Sequence, residues 1–155
     1  MPVHYDYDAD LKILCAAFAG KVDVDEVLQV ISGFAEGNPD LGPVAILNSF
    51  SRDSDLSHLS PDDLYRLRDE IRDRLAAHGI FRERTAFVIN GSIDILMLGP
   101  LWQAINAADP ESSFPMRFFG TVDEAPAFFG ADLKSLRALV ARTEAGLQET
   151  ARRLG

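Results

Sequence analysis

Two uninterrupted apolar runs, Val-Ala-Ile-Leu at 44–47 and Thr-Ala-Phe-Val-Ile at 85–89, limit what this chain can fold into more than any other feature. A strand wet on one face alternates apolar and polar residues. One covered on both faces does not, and such strands lie in parallel inside an α/β sheet. The segment between the runs suits the connection that pair requires. Ser60 offers an N-cap hydroxyl, Pro61 stands where a missing N–H costs nothing, and Asp62 and Asp63 lie at the positive end of the helix dipole. Leu64, Leu67, Ile71 and Leu75 then recur at helical spacing until His78 and Gly79 end the element. Strand, helix and parallel strand make a right-handed crossover.

The remaining segments extend this unit on both sides. Val3, Tyr5 and Tyr7 alternate with His4, Asp6 and Asp8, which predicts a half-exposed strand turning at Ala9 and Asp10 into a second strand over 11–19. After Asp23, the positions Val24, Val27, Leu28 and Ile31 predict a helix ending near Gly37. Ile93, Leu96, Met97, Leu101 and Ile105 keep a helical repeat that Gly99 and Pro100 should bend or break. A last strand falls within 114–119, Thr121 and Glu124 fit a capping box for a short helix over 122–129, and Asp132 can cap a final helix. The order β-β-α-β-α-β-α-β-α-α predicts an α/β fold. Its mixed sheet has about five strands, an N-terminal antiparallel hairpin, helices packed on it and an extra C-terminal helix. Residues 1–130 form the domain, and 131–155 a helix packed on that domain or on a second subunit.

Charge narrows the function classes. A formal net charge of −9 works against nucleic acid and anionic lipid, which are bound through clustered Lys and Arg. The basic cluster over 66–84 is interleaved with acids and reads as a solvated helix face. Cys15 lies inside the apolar run 13–18 and reads as a small core residue in a reducing compartment. The first ten residues lack the basic and apolar regions of a signal peptide, and no apolar run approaches the ~18 residues of a membrane span. A cytoplasmic protein with no stable membrane association and no nucleic-acid partner is expected.

Few residues suggest chemistry. The loop 49–60 is rich in serine, and Ser54, Ser57 and Ser60 are candidate phospho-acceptors or contact residues, Ser60 because a phosphate there would meet a helix N-terminus. Asp53, Asp55, His58, Asp62 and Asp63 cluster in sequence without a recognised ligand spacing, so neither metal nor cofactor is predicted. Neither a Gly-x-Ser-x-Gly elbow nor a phosphate-cradling glycine loop occurs, and the expectation is that the chain is not an enzyme. Met97 and Trp102 mark a helix that could cover an apolar ligand pocket. Leu133, Leu136, Val140, Thr143, Leu147, Thr150 and Leu154 form a narrow seam on the last helix. That seam covers either this chain's own sheet or the same helix of a second copy, and a homodimer is expected.

Several of these segments together carry a family resemblance: Phe18-Ala-Gly20 after the hairpin, the strand over 44–48 with its polar loop, Leu59-Ser-Pro-Asp-Asp-Leu64, the strand over 86–89, and Arg117-Phe-Phe-Gly-Thr-Val-Asp-Glu-Ala125. The chain resembles the bacterial SpoIIAA-like family, STAS-like α/β domains related in fold to anti-sigma-factor antagonists and to CRAL-TRIO domains. The resemblance implies a non-enzymatic regulatory or protein-interaction module. Binding or sensing of a small apolar ligand or lipid, beneath the helix with Met97 and Trp102, is an alternative; an enzyme of unknown reaction is a further alternative. Asn48 stands where the relatives tend to have Asp, and the Asp-Ser-Ser-Gly-like turn of the phosphorylated antagonists has no counterpart here.

Overall fold

The structure is a computed structural model that describes residues 3–154. Five strands, β1 (Val3–Asp8), β2 (Ile13–Phe18), β3 (Gly42–Phe50), β4 (Ile80–Val88) and β5 (Met116–Phe119), form one sheet in the order of the sequence. β1 and β2 run antiparallel and every later neighbour is parallel. The two apolar runs lie side by side at the centre. Ile46 stands opposite Thr85 and Leu47 opposite Ala86, and Val44, Ala45, Ile46 and Leu47 are all buried. Between β1 and β2 the turn takes four residues rather than two, with Lys12 at φ 56° and the Asp8 carboxylate accepting from the N–H groups of Asp10 and Leu11.

Three crossovers, each stepping one strand along the sheet, stack α1 (Val24–Gly37), α2 (Pro61–Ala76) and α3 (Ile93–Ala107) on one face. Leu14, Val44 and Ile46 pack there against Leu28, Ile31, Leu64 and Leu67. The short α4 (Pro126–Phe129) and the long α5 (Leu133–Leu154) take the other face, where Ile13, Cys15, Leu47 and Ala86 meet Leu136, Leu139 and Val140. The seam of α5 is therefore used on its own sheet. Leu136, Val140, Thr143 and Leu147 are buried, Leu133 is half-buried, and Leu139, absent from the predicted seam, is wholly enclosed. The side chain of Leu154 lies outside the described residues. Gly146 is not merely a weak helix former: the imidazole of His4 rests where its Cβ would be. Because the seam is occupied by the sheet, it offers no face to a second copy.

Helix α3 continues through Gly99 and Pro100 without a break. The carbonyl that loses its donor to Pro100 belongs to Leu96, which is on the solvent side. The capping box at Thr121 does not form, since its side chain accepts nothing. Pro126 cannot donate to the Val122 carbonyl, so the segment splits into a single 3₁₀ turn at Val122–Glu124 and the one-turn α4. β4 begins at Ile80, well before the apolar run. Arg82 and Arg84 thus belong to the sheet, which corrects the reading of 66–84 as one solvated helix face.

Candidate functional site

An apolar cavity of about 130 Å³ lies between the sheet and the three helices of the first face. Its wall comes from Ala16 and Phe18 of β2, Ile46, Asn48 and Phe50 of β3, Phe87 of β4, Val27 and Val30 of α1, and Leu98, Gly99 and Trp102 of α3. Its size is close to that of an apolar protein cavity of ~150 Å³ that stays dry and takes up benzene.

Four phenyl rings line the carboxyl ends of neighbouring strands along one side of this space. Phe18 stacks on Phe50 with centroids 4.5 Å apart, Phe50 on Phe87 at 6.2 Å, and Phe87 on Phe118 at 4.9 Å. In-register strands place the rings in a row, and each pair adds roughly 0.5–1.5 kcal/mol beyond area burial. A sequence signal for this ladder did exist: an aromatic residue near the carboxyl end of each of four strands.

On β4, a bulge decides which polar groups face the cavity. Val44 pairs with Arg82 but its neighbour Ala45 pairs with Arg84, leaving Glu83 as the extra residue. Side chains alternate along a strand, so positions 82 and 85 would ordinarily point to opposite faces. The inserted residue resets the alternation and turns both Arg82 and Thr85 into the cavity wall. Arg84 is left on the other face, donating to the Phe128 carbonyl.

Arg82 is held unusually for a buried cation. Its guanidinium lies 4.6 Å from the Phe114 ring centroid, and its one hydrogen bond among the described residues is a long 3.4 Å donation to Ser112 Oγ. No carboxylate among the described residues forms an ion pair with it. Asp109, the nearest favourable charge, is engaged by Arg72 and by Ser112 Oγ at 2.8 Å. Burial pushes Arg82 down to about 10, with Asp109 acting in the opposite direction, so it carries its charge at neutral pH. The side chain is half-buried and lines the cavity. Thr85 Oγ1 is buried without a hydrogen-bond partner.

Trp102 lines this cavity; Met97 does not. Helix α3 turns Leu98 and Trp102 inward, while Met97 is 74% exposed with Ile93, Leu96 and Leu101 on the outer side. Met97 lies about 100° around the helix from Leu98, on the side with the exposed Ile93, Leu96 and Leu101.

The serine loop is structural over much of its length. Ser54 is 5% exposed and its hydroxyl donates to the Phe18 carbonyl, which removes it as an accessible phospho-acceptor. Ser57 is exposed and donates through Oγ to Asp55 at 2.6 Å. Ser60 caps α2 in a reciprocal box with Asp63. Leu56 enters the core, and its N–H donates to the Asp94 carboxylate at the start of α3. The acids of the loop diverge: Asp53 pairs with Ser51, Asp55 with Ser57, and His58 contacts the Val22 carbonyl. No group of three potential metal ligands converges among the described residues.

A second cleft, of mixed polar and apolar lining, lies at the carboxyl ends of β2 and β3 beside α5. There Asn90 donates to Ser49 Oγ and Ser49 donates to Glu144. Within this chain of bonds no imidazole or amine reaches Ser49 to serve as a base. No helix among the described residues is long and apolar enough to cross a membrane. Comparison with protein-family models and with curated proteins finds no match for this chain.

Proposed function

We propose that this protein is a cytoplasmic, non-enzymatic STAS-like module that binds a small apolar molecule in the cavity beneath α3. The observation that carries the reading is the cavity itself. Folded interiors are packed to near-crystalline density with few voids larger than a water, and this one is floored by stacked phenyl rings and roofed by Trp102. The STAS-like kinship is supported by the mixed sheet of five strands with its antiparallel hairpin at one edge.

Toluene tests the reading. Trp102, the one tryptophan of the chain, reports occupancy through its emission. Toluene at ten times Kd raises stability by about 1.4 kcal/mol. The variant Ala16→Phe, which fills the space, abolishes both responses. Unchanged emission and melting temperature in saturating toluene overturn the proposal.

A contact role is favoured by one separate observation, the outer face of α3, where Ile93, Leu96, Met97 and Leu101 are exposed together. This face, not the seam of α5, is where we place a homodimer contact. Light scattering at tens of micromolar checks it: the dimer mass falls to the monomer value in Leu96→Lys. A monomeric wild type refutes it.

A further inference from the structure

Burying an arginine without a carboxylate is costly, since a buried charge is retained only where something compensates its desolvation. Arg82 has a phenyl face and one long hydrogen bond. Thr85, turned to the same side by the bulge at Glu83, keeps a buried hydroxyl with no partner, so its desolvation is not recovered. A cation without an ion-pair partner, in a wall otherwise apolar but for Asn48 and Thr85, describes half of a binding site, and the missing half is an acceptor.

We propose that the cavity takes an amphiphilic monoanion, a small carboxylic acid with an aromatic or short aliphatic body, whose carboxylate is held by Arg82 while its apolar part lies against Trp102 and Phe118. A guanidinium matches a carboxylate with two parallel N–H donations. The acid is bound as a monoanion because one cation faces the space; a phosphate dianion would keep uncompensated charge in an apolar enclosure. The volume of about 130 Å³ sets the body at roughly the size of a single ring. This inference rests on the reading of the cavity as a ligand site and adds the chemical class of the ligand.

Benzoate and benzamide have the same shape and differ in charge, so they separate the two claims. Titrations followed by Trp102 emission, and by the NMR signal of the Arg82 Nε–H, give benzoate an affinity about tenfold or more above benzamide in the wild type. Arg82→Met reduces that ratio to near one while toluene still binds, and the ligand-free variant melts no lower than wild type because a buried charge has been removed. If the variant fails to fold, the wild-type ratio and the Arg82 Nε–H shift decide alone. Toluene binding with equal benzoate and benzamide affinities overturns the anion site and leaves the cavity reading standing. A benzoate preference that survives in Arg82→Met also overturns it. Absence of toluene binding overturns the cavity reading itself.

Discussion

A methyl group placed on Gly99 would sit 2.8 Å from Cε1 of Phe118. This contact lets α3 rest directly on the end of the phenyl ladder and brings Leu98 and Trp102 over the cavity. Glycine costs about 1 kcal/mol against alanine in a helix interior, and here it permits close approach. Gly99→Ala is therefore expected to destabilise the protein by roughly 1–3 kcal/mol despite its better helix propensity. It should also shift Trp102 emission as α3 lifts. Urea unfolding with fluorescence detection reads both.

Leu139 is wholly enclosed between α5 and the sheet. Leu139→Ala should cost about 2–5 kcal/mol. Because the contact lies within one chain, the loss is the same at two protein concentrations a hundredfold apart. A loss relative to wild type that changes with protein concentration would place the helix on a partner instead.

Cys15 is sealed beneath α5, and burial pushes its thiol up to about 12, opposed by a hydrogen bond from Thr143 and reinforced by Glu144. It should resist iodoacetamide at pH 8 in the folded protein and react at once in urea. The linkage has a definite sign. A thiol raised by folding contributes stability that is whole below its unfolded value near 9 and is lost as pH climbs from there towards 12. Cys15→Ala should flatten that alkaline decline, as measured by denaturation midpoints between pH 8 and pH 11.

In the serine loop, substitutions should divide by burial. Ser54→Glu places a charge where the chain is 5% exposed and should lower stability by several kcal/mol, about the cost of an unpaired buried charge. Ser57→Glu, on the surface, should be within about 0.5 kcal/mol of wild type. Ser60→Ala removes the N-cap of α2 and costs about 1 kcal/mol. Thermal melts of the three variants check the ranking.

The acidic end of the pH range tests the caps. Hydrogen bonds from Ser60 hold Asp63 below the usual carboxylate range, and donors from Ser135 do the same for Asp132. Carboxyls depressed by folding contribute stability that is present above about pH 4 and is lost as pH falls through their lowered values. Urea midpoints should be flat from pH 7 to pH 5 and decline below pH 4. A midpoint that holds to pH 2 would show these bonds to be unimportant.

How much of this was legible in residues alone can be argued element by element. Residues 44–47 carry no polar position and 85–89 only a threonine, and that pattern determined two interior parallel strands, although Ile89 lies just past the end of β4. Ser60-Pro61 determined where α2 begins, and Asp23 and Asp132 do the same for α1 and α5. These are local matters, settled by side-chain periodicity and by which group can satisfy a free N–H within a few residues. Tertiary structure alone decided the rest. Whether the seam of α5 met its own sheet or a second copy depended on the free face of β1 and β2, which no helical repeat encodes. Arg82 looked like one more charge in a mixed basic and acidic stretch; a single inserted residue in β4 turned it inward beside Thr85, because a register shift reverses the facing of every residue beyond it. The cavity likewise has no sequence of its own, being the space that five strands and three helices leave between them.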